Sequence, residues 1–253
     1  MSRDETWDSP EKLTIEWGEK QAKALWDGIW SDFEVEWDGK SALDFGCLWG
    51  YFPKFLLEEK GVREAIGIDI HPKWEGVSEW DYRSMNGLQL HAGDLIEIVD
   101  IQEEEFDIIT TSGTMFLLNP SKQEEVLTWM YDHLKPGGSL LVQTRTFFSY
   151  NGGDLHNVTS IPHPHVIFSD RIINKLTRSR KLSPMSATGN LMLFHRSGFD
   201  IKEVRRYRGI DEDFFKKNQE KLWFYSKRDL GTGDIYVHLV KPKSDRDISE
   251  MRQ

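Results

Sequence analysis

The stretch Ala42–Phe52, ALDFGCLWGYF, constrains this chain more than any other. It opens as a short apolar strand, Ser41-Ala42-Leu43, and runs into Asp44. A tight turn follows, with Gly46 and Gly50 as its flexible points, and from Phe52 to Lys60 the composition is helical. A strand, a glycine turn and a helix in that order make the first half of a nucleotide-binding βαβ unit. Glycine serves such a turn because a ligand must approach the backbone closely and because the dihedrals resist a side chain. The pattern Asp44-x-Gly46-x-x-x-Gly50 is not the G-x-G-x-x-G that aims backbone N–H groups at a pyrophosphate, and G-x-x-x-x-G-K-[ST] is absent, which excludes a P-loop. An acid ahead of the first glycine suits a ligand with a positively charged end.

The chain of 253 residues is long enough for one large α/β domain with appendages. No run of eighteen apolar residues predicts a membrane-spanning helix, and the polar start MSRDETWDSPEK lacks a signal-peptide core. The single cysteine, Cys47, rules out an internal disulfide framework and a cysteine zinc site. A cytoplasmic protein is the expectation. The net charge of −10 argues against broad electrostatic binding of nucleic acid or membrane. Trp7, Trp17, Trp26, Trp30 and Trp37 all precede the glycine turn, so the N-terminal segment is more than a tail. Ser9-Pro10-Glu11-Lys12 reads as a helix opening, and Leu13, Trp17, Leu25, Ile29 and Trp30 recur at helical spacing to about Ser31. This helix either packs on the sheet edge or covers a ligand.

Downstream, Glu64–Ile70 reads as a buried parallel strand ending in Asp69, 25 residues past Asp44. Such an acid either accepts both hydrogen bonds of a ribose diol or is a solvated strand-end carboxylate. His71-Pro72 stops the strand, and Lys73 to Tyr82 is irregular. Leu88–Leu95 supplies a third strand and the turn Gly93-Asp94-Leu95. Glu105–Thr111 is a fourth strand, with Ser112-Gly113-Thr114 at the carboxyl end where ligands of doubly wound sheets gather. A helix from Pro120 to Leu134 leads through Lys135-Pro136-Gly137-Gly138 to a fifth strand, Ser139–Thr144.

These landmarks, in this order, resemble the class I S-adenosylmethionine-dependent methyltransferases. Asp44-x-Gly46-x-x-x-Gly50 is similar to their first motif, usually D/E-x-G-x-G-x-G, with Leu48 where the middle glycine stands, and L-K-P-G-G-x-L-L is frequent before their fifth strand. The resemblance implies a three-layer, doubly wound, mostly parallel seven-stranded sheet closed by an antiparallel hairpin. Phe199–Tyr207 and Asp234–Val240 alternate suitably for that hairpin, with a helix ending near Ser197 before it and one amphipathic helix over 211–227 within it. The expected organisation is a helical extension over 1–37, a methyltransferase domain over 38–242 and a charged tail over 243–253. The resemblance also implies S-adenosylmethionine as cofactor. Asp44, Gly46 and Gly50 would hold its methionine part, Asp69 its ribose and Asp94 its adenine, with the Leu95 amide at a ring nitrogen. Cys47, Ile70, Gly93, Thr111 and Ser112 would stand beside them.

The acceptor is less constrained. A [DN]-P-P-[YFW] turn for exocyclic base amines is missing where Thr111-Ser112-Gly113-Thr114 stands, and Cys47 lies in the cofactor turn rather than at a cytosine carbon. A small-molecule acceptor with an oxygen or nitrogen nucleophile remains. The insert over 145–190 is the candidate acceptor side; it holds Tyr150, Asp154, His156, His163 and His165. Tyr150, His156 and His163 are the candidate catalytic groups; the histidines are ordinary loop residues, general bases, or, with Asp154, ligands for a metal. Arg171, Lys175, Arg178, Arg180 and Lys181 form either a solvated helix face or an attractor for an anionic acceptor. Two rival functions stay open: a catalytically silent S-adenosylmethionine-binding protein, which Leu48 motivates, and an NAD-dependent oxidoreductase.

Overall fold

Strand β1, Ser41–Phe45, lies at the centre of the sheet, and both hydrophobic cores are built from its alternation. Leu43 and Phe45 project into one core, Ala42 into the other, with Asp44 on the Ala42 side by the two-residue period of a strand. The computed structural model of the chain describes residues 15–70, 85–98, 101–102, 104–150, 161–168, 172 and 185–243. Around β1 are β2 (Glu64–Asp69), β3 (Leu88–Ala92), β4 (Phe106–Ser112), β5 (Leu134–Arg145), β6 (Asp200–Arg208) and β7 (Thr232–Val240). Their spatial order is β3-β2-β1-β4-β5-β7-β6. The pairings from β3 to β5 are parallel, and β7 runs antiparallel to both β5 and β6. This is the seven-stranded sheet with a reversed hairpin that the sequence predicts.

One face is covered by α3 (Pro120–His133) and α4 (Ala187–Arg196), which bury Val126, Leu127, Met130, Leu193 and Phe194 against Leu43, Ile66, Ile109 and Val237. Asn119 caps α3 by accepting from the Lys122 amide, and Pro120 follows at the first helical position. The other face carries α2 (Tyr51–Lys60), bounded by left-handed Gly50 and Gly61. Here the N-terminal helix departs from the sheet-edge reading, although Asp32 beyond it pairs with Arg205 of edge strand β6. Helix α1 (Ile15–Leu25) and its wider π-type turn Trp26–Trp30 lie on α2, away from the edge strands β3 and β6. Lys54, buried in α2, donates to Glu19 of α1 at 2.9 Å and to Glu58 at 2.6 Å. Trp26 packs edge-on to Trp37 at 5.2 Å, and Phe33 stacks edge-on to His238 of β7 at 5.9 Å. The chain from 31 to 37 therefore crosses the sheet face and fills the layer that a further helix would otherwise occupy.

Two other elements differ from expectation. Strand β5 starts at Leu134, and Pro136-Gly137-Gly138 form an irregularity within it, between the pairs Phe106–Leu134 and Ile108–Ser139. The segment 211–227 is not one helix but short helices Glu212–Lys217, Gln219–Leu222 and, further on, Lys227–Leu230. Asp211 and Ser226 each cap a new start by accepting from the Phe214 and Asp229 amides, so local capping outweighs the amphipathic period. Their apolar side packs on Phe147 and Phe148, just beyond β5. Among the described residues no helix is long and apolar enough to cross a membrane.

Candidate active site

The carboxyl ends of β1, β2 and β4 converge on the glycine turn. Gly46 and Cys47 donate backbone N–H bonds to Ile68 O at 2.8 and 3.1 Å, which ties the turn to the end of β2. Gly46 has φ +82, and a Cβ there would lie 1.9 Å from Thr114 Oγ1. Only glycine satisfies both the dihedral and the closeness of Thr114. Leu48 holds φ +49, a conformation that costs a branched side chain about 1 kcal/mol. Its amide donates to Asp69 Oδ2 at 3.0 Å, and its side chain remains 44% exposed. A Leu48→Gly variant should therefore gain about 1 kcal/mol of native stability less the entropy that glycine adds to the unfolded chain, for a net change within about 0.5 kcal/mol. Denaturant midpoints of the two proteins measure it.

The acid of the first motif is placed by register. Asp44 pairs with Gly67 of β2 and Thr110 of β4, and it is only 5% exposed. Thr110 Oγ1 donates to Asp44 Oδ1 at 2.7 Å. Burial pushes the Asp44 carboxyl up to about 7; the Thr110 hydrogen bond opposes this and the nearby Asp69 carboxylate adds to it. Asp69 is buried at the end of β2, and its carbonyl accepts from Gly93 N at 2.9 Å, which fixes the next turn beside it. Buried acids at the ends of β1 and β2, beside a glycine turn, offer acceptors that suit a positive charge and hydroxyl donors. A sulfonium bearing an amino group and a ribose has both, so the residues present fit S-adenosylmethionine.

The other predicted positions fall as follows. Cys47 is buried with its thiol pushed up, first by burial and then by Asp44 and Asp69. Ile70 is 62% exposed, next to Asp69. Asp94 accepts from Ile96 N at 3.1 Å and pairs with Lys122 of α3 at 3.0 Å, and Leu95 is buried in the core. Ser112 Oγ donates to Gln143 Oε1 at 3.1 Å, and Gly113 N donates to Gln143 O at 3.2 Å. Thr111 is fully buried on the face opposite Asp44. On the acceptor side, Tyr150 stays 56% exposed and stacks edge-on to His163 at 5.5 Å. His163 is buried, engages Ser149 O through Nδ1 at 3.1 Å, and is lowered in pKa chiefly by burial. His165 engages Phe147 O, and burial brings it to about 4. Both rings thus spend a nitrogen on backbone carbonyls, and no group of three metal-ligating side chains occurs among the described residues. Asp154, His156, Lys73–Tyr82 and the basic run from Arg171 to Lys181 lie outside the described residues, as does the helix opening at Ser9.

Thr110, Lys122 and Gln143 were not singled out in the sequence. Thr110 was within reach, because the strand period sets it on the Asp44 side of β4. Gln143 and Lys122 carry no local signal, since their partners lie 31 and 28 residues away.

The comparisons agree with this architecture. Residues 42–138 match the family model described as a methyltransferase domain. A chain of the complex between the Haloferax volcanii Trm112 methyltransferase activator and a methyltransferase is 17% identical, with a TM-score of 0.57 over 96% of this chain and 100% of that one. An S-adenosylmethionine-dependent methyltransferase from Mesorhizobium loti is 17% identical, TM-score 0.57, over 90% and 98%. Phosphoethanolamine N-methyltransferase 2 of Haemonchus contortus, solved with S-adenosyl-L-methionine, is 16% identical, TM-score 0.58, over 90% of this chain and 58% of that one. No curated protein matches the chain. At these identities the structural likeness is one of fold. The sheet is that of the class I S-adenosylmethionine-dependent methyltransferase fold.

Proposed function

We propose that this protein binds S-adenosylmethionine and transfers its methyl group to a small-molecule acceptor through an oxygen or nitrogen nucleophile. The observation that carries the reading is the pair of buried carboxylates, Asp44 and Asp69, flanking a glycine turn. Asp44, Gly46, Cys47 and Gly50 would hold the amino-acid end, Asp69 and Ile70 the ribose, and Gly93, Asp94 and Leu95 the adenine. Ser112 would close the far side of the cleft, whereas Thr111 faces the opposite core. When bound, the cofactor supplies a methyl group on a positively charged sulfur. The chain's own task is to align the acceptor with that methyl, exclude water and take up a proton where the acceptor carries one. Tyr150 and His163, which meet edge-on, and with them His156 are the candidate catalytic groups on the acceptor side.

Calorimetric titration with S-adenosylmethionine and S-adenosylhomocysteine tests the reading; micromolar binding is the expected result, and absence of binding to both would sink it. The pH dependence adds a second readout. Asp44 holds its proton up to about pH 7 in the ligand-free protein, while the unfolded chain loses that proton near 3.8. Because the folded pKa is raised, ligand-free stability falls as pH climbs through this window. A cationic ligand favours the ionised form, so affinity should rise from pH 5.5 to pH 7, by up to about tenfold per unit. The melting shift given by S-adenosylhomocysteine should widen over the same range. Binding without methylation of any acceptor would favour the silent, regulatory alternative that Leu48 suggests.

A further inference from the structure

On the face of the sheet that carries Asp44, the carboxyl edge continues past the glycine turn as a row of polar and aromatic side chains. The strand period places Ser112 of β4, Gln143 and Arg145 of β5, Asp234 and Tyr236 of β7, and Tyr207 of β6 on that face. Gln143 stands opposite Tyr236, Arg145 opposite Asp234, and Asp234 opposite Tyr207. Ser112 hydrogen bonds to Gln143, so the row is contiguous with the candidate cofactor turn; two strand spacings, about 10 Å, separate Ser112 from the β7 side chains. Among the described residues, the N-terminal segment covers this face as far as Phe33, over His238 and Arg205. Tyr236 and Asp234 lie beyond that cover, two and four residues nearer the cleft.

Asp234 is half-buried and has no hydrogen bond or ion pair among the described residues, although Arg145 faces it across the ladder. Burial raises its pKa against the opposing charge of Arg145. Tyr207 and Tyr236 meet edge-to-face at 4.3 Å, and burial, with Asp234 and Tyr207, pushes the Tyr236 phenol to about 12. The other neighbouring cation, Arg205, is held by Glu203 and Asp32. A half-buried carboxylate without a donor, beside two aromatic rings, is completed by an organic cation.

Resting on the methyltransferase reading above, we infer that Asp234, Tyr236 and Tyr207 form the acceptor subsite and that its acceptor is a small amine. The amine arrives as an ammonium and gives one proton to Asp234. Its freed lone pair then forms the new N–C bond as the C–S bond breaks, and the electron pair of that bond stays on sulfur. The product leaves as a methylated ammonium, and Asp234 returns its proton to solvent. Gln143, fixed through Oε1, offers its amide N–H groups to the rest of the acceptor.

Tetramethylammonium, a cation that cannot be methylated, is the probe, with tert-butanol and acetate as neutral and anionic controls. It is titrated into the protein alone and into its S-adenosylhomocysteine complex while tyrosine ring signals are followed by NMR. Saturable binding of about millimolar affinity that shifts the Tyr207 and Tyr236 rings is expected, weakened about tenfold or more in Asp234→Asn and in Tyr207→Leu. Both variants should bind S-adenosylhomocysteine like the parent, which shows them folded. Equal binding of tert-butanol or acetate, or an unchanged affinity in Asp234→Asn, would overturn the inference. Failure to bind S-adenosylhomocysteine would instead sink the methyltransferase reading, with the tetramethylammonium arms still deciding the subsite.

Discussion

Asp69→Ala should lower affinity for S-adenosylmethionine by about 100-fold or more. A carboxylate that accepts from hydroxyl donors in a buried setting contributes about 1.5–3 kcal/mol per hydrogen bond, and a ribose diol presents two. Alanine also removes the acceptor of the Leu48 amide, so the turn loses a tie that holds it against β2. Asp69→Asn keeps one oxygen in place and loses the charge, and an intermediate loss of about tenfold is expected. Calorimetry on the three proteins separates the cases. Undiminished binding in the alanine variant would remove the ribose from the end of β2 and with it the proposed pose.

Gly46→Ala should be the more damaging change to the protein itself. The new methyl would lie 1.9 Å from Thr114 Oγ1 and 2.8 Å from its Cβ, at a φ of +82 that L side chains avoid. Strain of about 1–2 kcal/mol and overpacking of about 1–3 kcal/mol combine, for a melting temperature lower by roughly 5–10 °C and no measurable cofactor binding. Gly39→Ala is the control, since its φ is +70 but nothing lies within 4 Å of the added methyl. It should show the backbone cost alone. Adding Thr114→Ala to Gly46→Ala should recover the overpacking part and leave the rest, which a double-mutant cycle reads directly. Equal melting temperatures for the two glycine variants would mean that Thr114 simply moves aside.

The order of strands around the cleft was readable because each landmark is local. An apolar run followed by an acid, a glycine turn and a helical stretch fixes a βα unit within a dozen residues, and Asp44, Asp69 and Asp94 mark three successive strand ends. The N-terminal helix shows where such reasoning stops. The periodicity of Trp17, Leu25, Ile29 and Trp30 says that one side is buried but not against what, and α2 rather than a sheet edge receives it. The segment over 212–230 failed for the opposite reason. Its caps Asp211 and Ser226 were visible, yet an aromatic stripe at helical spacing outweighed them. The partnerships Ser112–Gln143, Asp94–Lys122 and Arg145–Asp234 join residues far apart in the chain, and only the folded register brings them together.

Gly18 in α1 lies so close to Tyr51 that a Cβ on it would come within 2.1 Å of the Tyr51 ring, and Tyr51 is the residue directly after Gly50 of the turn. Helix docking and turn geometry therefore share one wall, and they share one free energy. Whatever steadies the docked helix will favour the turn's ligand-ready shape, and a bound ligand must return the favour by the same factor. The first helix of the chain, remote from any chemistry, thus becomes a handle on the affinity of the cleft.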